Sequence, residues 1–393
     1  MSPAPDTAVC IAGAGPVGAA LALALGRAGV PTALLDLAPP PAAPDADAPL
    51  ELRVSALSAR TAAWLQALGA WARMDPARHT PYRALEVWEQ DARIHFDAAD
   101  IGEPALGTLV ENRALVAALH AALDTCASVR RLAAGEVRAL VAGGRHIAVH
   151  TSAGETCAAA LVVGAEGAHS AVRTLAGIDA VRTDFRHSAL VTHVRTQRAH
   201  AHIAYQRFLP GGPLALLPLP DGRVSVVWSC APAHAQALAR LPEAEFAVAL
   251  AQASDWRLGE VLEVDRRAVI PLHGLRAARY VGARVALAGD SAHVVHPLAG
   301  LGATLGLDDA AALARLVTDA VARGADPGGS GLLRRYERAR RAGNAPLLGG
   351  IEALRRLYGV RGGPLPMLRR AGLRLTNRAG PLKHAITRLA SGA

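Results

Sequence analysis

Ala8-Val9-Cys10-Ile11-Ala12-Gly13-Ala14-Gly15-Pro16-Val17-Gly18 decides the fold of this 393-residue chain. Residues 8–12 are uniformly apolar and read as a short buried strand. A Gly-x-Gly-x-x-Gly turn follows, then a small-residue helix to about Ala28 and a second strand, Thr32–Leu35, that ends in Asp36. Strand, glycine turn, helix, strand and acid make a complete dinucleotide-binding unit. Gly13 permits the tight turn, Gly15 lets a pyrophosphate approach the backbone, and Gly18 lets helix and strand pack closely. The phosphates would meet a helix N-terminus carrying about +0.5 charge. Asp36 would accept hydrogen bonds from a ribose 2′-hydroxyl, which favours FAD or NAD over NADP.

The same stretch has a competing reading. Residues 8–26 carry no charge, long enough to resemble a membrane span. The glycine turn divides them into two short elements, and Asp6, not a basic run, precedes them, so neither a span nor a signal peptide fits well. Apolar residues make up 51% of the chain and charged residues 19%, which excludes wholesale disorder. Cys10, Cys126, Cys157 and Cys230 are far apart, which excludes a disulfide framework and a cysteine zinc site and suggests a reducing, cytoplasmic setting.

A net charge of +9 invites a nucleic-acid reading. Residues 351–393 hold nine Arg/Lys (Arg355, Arg356, Arg361, Arg369, Arg370, Arg374, Arg378, Lys383, Arg388) against Glu352, a net +8. The rest is nearly neutral, and no basic segment is interleaved with base-stacking aromatics, so no nucleic-acid partner is expected. Leu354, Leu357, Leu368, Leu373, Leu375, Leu382 and Ile386 punctuate this tail. Two readings stay open: a solvated helical surface, or a patch that docks on a partner complex or on the inner face of a membrane.

Further along, residues 38–49 read as a Pro/Ala/Asp-rich loop. Spacing predicts helices over 55–68, 111–126, 299–321 and 332–357. Strands are expected within 82–96, at 137–142, 146–150, 158–163 and 284–288, and through 188–228. The expected fold class is α/β, a Rossmann-like nucleotide domain with an inserted β-sheet substrate domain and a helical C-terminal region. The nucleotide domain would take residues 1–77, 100–179 and 273–350, the substrate sheet 78–99 and 180–272, and the basic helical region 351–393.

Two more motifs follow strands. One is Gly164-Ala165-Glu166-Gly167-Ala168-His169-Ser170; the other is Gly289-Asp290, followed by His293, His296-Pro297 and the run Gly300-Leu301-Gly302-Ala303-Thr304. An acid at a strand end can hold a sugar-like hydroxyl, and a glycine run opening a helix offers bare N–H groups to a developing anion. His293 and His296 stand three apart without a convergent set of further ligands, so no metal is expected.

In this order and spacing the three motifs resemble the FAD-dependent aromatic hydroxylases of the p-hydroxybenzoate hydroxylase type, and most closely the ubiquinone-biosynthesis hydroxylases. Glu51-Leu52-Arg53, Val110-Glu111-Asn112-Arg113, and the stretches 205–210, 212–218 and 227–229 add to the likeness. Departures are Glu166 for the usual Asp, His169 for Asn, Leu301 for Gln and Thr304 for Asn. The resemblance implies that Gly13, Gly15, Gly18 and Asp36 hold the ADP half of FAD, with Arg53 and Arg113 toward the pyrophosphate and flavin. It further implies Glu166 and Asp290 as cofactor contacts, and Gly302, Ala303 and Thr304 along the N1/O2 edge of the flavin. Pro297 and Gly300 would be the catalytic positions lining the ring. The implied reaction takes electrons from NADH or NADPH and oxygen from O₂ and hydroxylates a phenolic ring through a flavin C4a-hydroperoxide. The implied substrate is a polyprenylated quinone precursor, with a small aromatic substrate, a related oxidase or reductase, and a non-catalytic FAD-binding assembly protein as alternatives.

Overall fold

The computed structural model describes residues 6–45, 47–359 and 365–391. Its helices, in chain order, are α1 (Pro16–Arg27), α2 (Ala59–Ala67), α3 (Asn112–Leu123), α4 (Ala171–Leu175), α5 (Pro232–Arg240), α6 (Glu243–Ala253), α7 (Gly302–Ala322), α8 (Ser330–Gly359), α9 (Leu365–Arg378) and α10 (Gly380–Ser391). Among the described residues the strands form three sheets.

The first sheet is the nucleotide-binding core. Thr7–Ala12 lies between Thr32–Leu35 and Thr156–Gly164, with Val129–Arg131 and Val285–Leu287 outside them, and every one of these pairings is parallel. Such strands are covered on both faces, so they are apolar throughout; Val9, Cys10, Ile11, Leu161, Val162 and Val163 are fully buried. The chain leaves the first strand through α1 toward one side, and the strand that pairs with its other side, Thr156–Gly164, begins only after residue 155. That makes the carboxyl end of Thr7–Ala12 a topological switch point, where α/β sheets form their ligand crevice. Small residues bring α1 and α7 together: a Cβ on Gly306 would stand 2.7 Å from a Val17 methyl.

The second sheet carries Ala84–Glu89, Ala92–Asp97, Ala180–Thr196, Ile203–Leu209, Gly212–Pro218, Val224–Cys230, Val261–Val264, Ala268–Ala277 and His293–Val294. Its back packs on α5 and α6 through Trp228, Phe246 and Leu250. The third sheet pairs Gly107–Glu111 with Val54–Ser58 and His79–Tyr82. Thus His79–Tyr82, which falls within 78–99, joins this small sheet, and the last long strand of the second sheet runs beyond residue 272.

The expected helix over 55–68 is partly wrong. Residues 54–58 are a strand, because they pair with Gly107–Glu111, and the helix starts only after Ser58, whose hydroxyl caps it by accepting from the Thr61 amide. The apolar positions Leu57 and Leu65 are both buried, so periodicity alone could not separate strand from helix.

The uncharged stretch 8–26 is strand, turn and helix, and among the described residues no helix is long and apolar enough to cross a membrane. The basic tail folds back as α9 and α10 against the second sheet and Ala98–Ile101. Arg355 and Arg356 pair with Glu352, Arg369 with Glu89, Arg370 and Arg374 with Asp91, and Lys383 with Asp100. Arg361 lies outside the described residues.

Candidate active site

The three motifs meet because each ends a strand of the same parallel set. Ala12 is opposite Gly164, and Gly164 is opposite Leu287. Backbone bonds extend the ladder past the strand ends: the Gly13 amide donates to Leu35 O (2.8 Å), Ala165 to Ala12 O (2.7 Å) and Ala288 to Gly164 O (3.0 Å). Segments far apart in sequence therefore stand side by side at the crevice.

Gly13 has φ +96°, and a Cβ there would lie 2.3 Å from Ala165 O. A Cβ on Gly18 would lie 1.8 Å from Gly13 O, so this glycine sets the helix-to-turn distance. Gly15 differs: nothing lies within 4 Å of its Cβ position, and the residue faces an open cavity. Asp36 fixes the turn from behind, accepting from the Ala14 amide (2.7 Å) and the Leu37 amide (2.6 Å). Buried His120 holds the other side: its Nε2 donates to Ala14 O at 2.8 Å, which leaves Nδ1 to accept from Arg131. Burial lowers the His120 pKa and so favours this neutral ring.

The turn opens on one end of a cavity of about 1170 Å³. Gly13, Gly15, Asp36, Arg53, Glu166, Asp290, Pro297, Gly300, Gly302 and Ala303 all face it. Three expected residues do not. Gly18 is a packing position. The Arg113 guanidinium turns to Ala42 O (3.2 Å). Thr304 donates to Ala56 O (3.2 Å) and accepts from the Ser58 amide (3.1 Å), tying α7 to the strand Val54–Ser58. The neighbour of Arg113, Asn112, lines the cavity instead, and its buried Oδ1 has no hydrogen-bond partner among the described residues.

Glu166 uses its extra methylene to reach the start of α4, accepting from the Ser170 hydroxyl and from the Val172 amide at 3.2 Å. Burial raises its carboxyl despite those donors. Asp290 is solvent-accessible only because it points into the cavity; protein surrounds it, and that desolvation raises its pKa against the opposing His293 and Arg53 charges. Gly302 opens α7, and nothing lies within 4 Å of its Cβ position, so the positive end of a 21-residue helix faces the cavity bare. An open glycine turn, a desolvated acid, a helix start and an orphaned acceptor on one wall suit an extended dinucleotide carrying a flavin.

Behind this face sits a hub that the spacing of the sequence did not reveal. Asp309, fully buried, accepts from the Gly289 amide (3.0 Å), His293 Nε2 (2.6 Å) and Arg340 Nε (2.6 Å). Burial pushes its carboxyl up, but His293 and Arg340 outweigh that and hold it below the usual range. His293 is thus committed to Asp309, and among the described residues no group of three or more His, Cys, Asp or Glu could hold a metal.

The cavity continues past Pro297 along the second sheet, beside Tyr205, Gln206, Ala215 and Val227. It ends between α8, α9 and α10 among Leu347, Ile351, Leu354, Leu373 and Ile386. A fold with an FAD-type crevice opening on a sheet-walled chamber defines a class, the flavin-dependent monooxygenases.

Residues 6–347 match the model of the FAD binding domain family. The chain is 36% identical over 388 residues to 3-demethoxyubiquinol 3-hydroxylase of Escherichia coli, covering 98% of each. It is 35% identical to ubiquinone hydroxylase UbiL of Rhodospirillum rubrum, covering 98% of this chain and 89% of the relative. p-Nitrophenol 4-monooxygenase PnpA from Pseudomonas putida shares the fold with a TM-score of 0.76 at 20% identity, over 98% of each chain. The chain belongs to this family of FAD-dependent aromatic hydroxylases. It is an FAD-dependent monooxygenase that draws electrons from NADH or NADPH.

Proposed function

We propose that this enzyme hydroxylates the phenolic ring of a polyprenylated ubiquinone precursor. The observation that carries this reading is the length and chemistry of the cavity: a polar, glycine-lined end for FAD, a sheet-walled middle, and an apolar end between the C-terminal helices. A small soluble aromatic needs no such end. Two relatives of 35–36% identity are a demethoxyubiquinol hydroxylase and a ubiquinone hydroxylase, which supports the same substrate class.

The residues divide the work as follows. Asp36 would hold the adenosine ribose, while Gly13 and Gly15 give the pyrophosphate close access to the backbone and Gly18 keeps α1 near enough to present its N-terminus. Arg53 would neutralise phosphate charge, and Asp290, with Glu166 nearby, would bond the ribityl hydroxyls. Arg113 acts one layer back, steadying the 38–49 loop through Ala42 O. Bound there, FAD supplies electron acceptance from the nicotinamide and activation of O₂. Gly302 and Ala303 offer N–H groups and helix-end potential to negative charge on the flavin edge, and Thr304 fixes that helix start against Ala56. Pro297 and Gly300 shape the wall beside the ring and exclude water.

The same reading places the enzyme on a membrane surface. Met367, Leu375 and Leu382 are exposed beside Arg378 and Arg388, as an interfacial helix pair requires. The test is anaerobic reduction by NADH or NADPH, with and without a prenylated phenol, followed by admission of O₂ and measurement of the product mass. Faster reduction with the phenol and a product heavier by one oxygen are expected. Reduction stimulated only by small unprenylated phenols would overturn the substrate assignment.

A further inference from the structure

Three large apolar residues both line the cavity and are exposed to solvent: Leu354 on α8, Leu368 on α9 and Ile386 on α10. They mark a mouth at the apolar end, far from the glycine turn. The helices that form it are held down by charges of unequal burial. The pair Arg369–Glu89 (2.6 Å) is nearly closed off, with side chains 7% and 12% exposed, and Arg369 also donates to Leu357 O (2.7 Å) and lies over the Tyr358 ring. Outside it, Arg370 and Arg374 share Asp91, which is 63% exposed, and Lys383 holds Asp100 at 2.6 Å. The inner pair is a pivot; the outer pairs are more open, those on Asp91 reaching water and Lys383–Asp100 half-buried at 17% and 34% exposed, so salt or a competing anion displaces them more readily than the pivot.

The faces of α9 are divided to match. Leu368, Gly372 and Thr376, with Leu373, face the cavity. Met367 and Leu375, 65% and 69% exposed, face away, in line with Ala371 and Arg378. One face covers the chamber, one edge is latched to acids, and the outer face is apolar and basic.

We propose that α9 and α10 are a lid whose outer ion pairs are exchanged for the headgroups of an anionic bilayer. Arg370, Arg374 and Lys383 leave Asp91 and Asp100 for lipid phosphates, Met367, Leu375 and Leu382 enter the interface, and the mouth opens toward a substrate dissolved in the lipid. The pivot at Arg369–Glu89 keeps the helices attached. This inference rests on the membrane reading above and adds the switch. A zwitterionic surface does not suffice, because its headgroups present no net negative charge to compete with Asp91 and Asp100.

A single amide reports the latch. His95 N–H, on the strand Ala92–Asp97, donates to Asn377 Oδ1 of α9 at 3.2 Å. The experiment measures hydrogen exchange at His95 in the full-length, FAD-loaded protein, alone, with phosphatidylglycerol vesicles and with phosphatidylcholine vesicles, beside a sedimentation assay. Exchange several-fold faster with phosphatidylglycerol only is expected. The variant Asp91→Asn/Asp100→Asn should show the fast exchange without vesicles, with FAD content and exchange of the central strand Thr7–Ala12 unchanged. Protein that sediments with phosphatidylglycerol while His95 exchange stays slow overturns the switch and leaves the membrane reading intact. Protein that does not sediment overturns the membrane reading and the lipid-driven release together. A double variant that exchanges like the wild type overturns the ion-pair latch in either case.

Discussion

Replacing Asp309 by Ala tests the account of how the Gly289-Asp290 motif is held. The carboxylate is fully buried and serves the Gly289 amide, His293 and Arg340 together. Removing it leaves Arg340, which lies against buried Asn344, without its anion, and breaking a buried pair in this way costs about 3–5 kcal/mol. At roughly 2–4 °C per kcal/mol for a domain of a couple of hundred residues, that is a fall in Tm of roughly 6–20 °C. Asp309→Asn keeps an acceptor and the volume and should lose less. Because Gly289 precedes Asp290, Asp309→Ala should also weaken FAD retention. The assay is thermal unfolding of apo and FAD-loaded protein, with FAD affinity from fluorescence titration. An Ala variant that melts within about 1 °C of the wild type, with FAD affinity unchanged, would refute the reasoning. The pH dependence has a fixed sign. The folded-state pKa of Asp309 lies below 3.8, so its contribution is fully present above that value and is lost as pH falls through the folded value.

Asp36→Ala should cut FAD affinity about 10–150-fold, the equivalent of about 1.5–3 kcal/mol for bonds to a charged acceptor, and equilibrium dialysis reads this directly. Burial lowers the pKa of both His193 and His296 to about 4. The unfolded chain therefore takes up those protons first, and stability falls as pH drops from 6.5 toward 4, by about 3 kcal/mol per histidine; urea midpoints across that range check it, and His193→Gln should flatten the slope. Gly372→Phe, on the cavity face of α9, should raise KM for long-tailed phenols while leaving FAD binding and turnover of a short-tailed phenol unchanged.

The nucleotide half of the fold was legible because its signals are local. Gly13 needs its positive φ, Gly18 needs its missing Cβ, and Asp36 sits where the second strand must end. The helix expected over 55–68 failed because strand pairing with Gly107–Glu111 is a long-range fact that apolar spacing does not carry. Arg113 and Asn112 are adjacent in one motif, yet only Asn112 faces the cavity, since α3 begins there and turns the next side chain outward. Asp309 was invisible for a related reason: its partners Gly289, His293 and Arg340 come from separate segments. The basic tail read correctly as helical, but its charge did not reveal that Asp91, Asp100 and Glu89 receive much of it.

The parallel set Thr7–Ala12, Thr156–Gly164 and Val285–Leu287 has a consequence for biosynthesis. The first strand leaves the ribosome early, but its second neighbour is incomplete until residue 164 has been made, and the strand beyond that neighbour, which ends in the Gly289-Asp290 wall, until residue 287. At about 5–20 residues per second, the glycine turn waits roughly 15–60 s for its last wall. Until residue 164 the first strand is unpaired along one edge, from then until residue 287 the apolar end of Thr156–Gly164 is, and non-local pairing makes closure slow. The nascent chain should therefore depend on chaperone cover for most of its synthesis. Cofactor capture is then a late event that locks an assembled crevice, so cells starved of flavin should accumulate a protease-sensitive apoprotein and not a shortened chain.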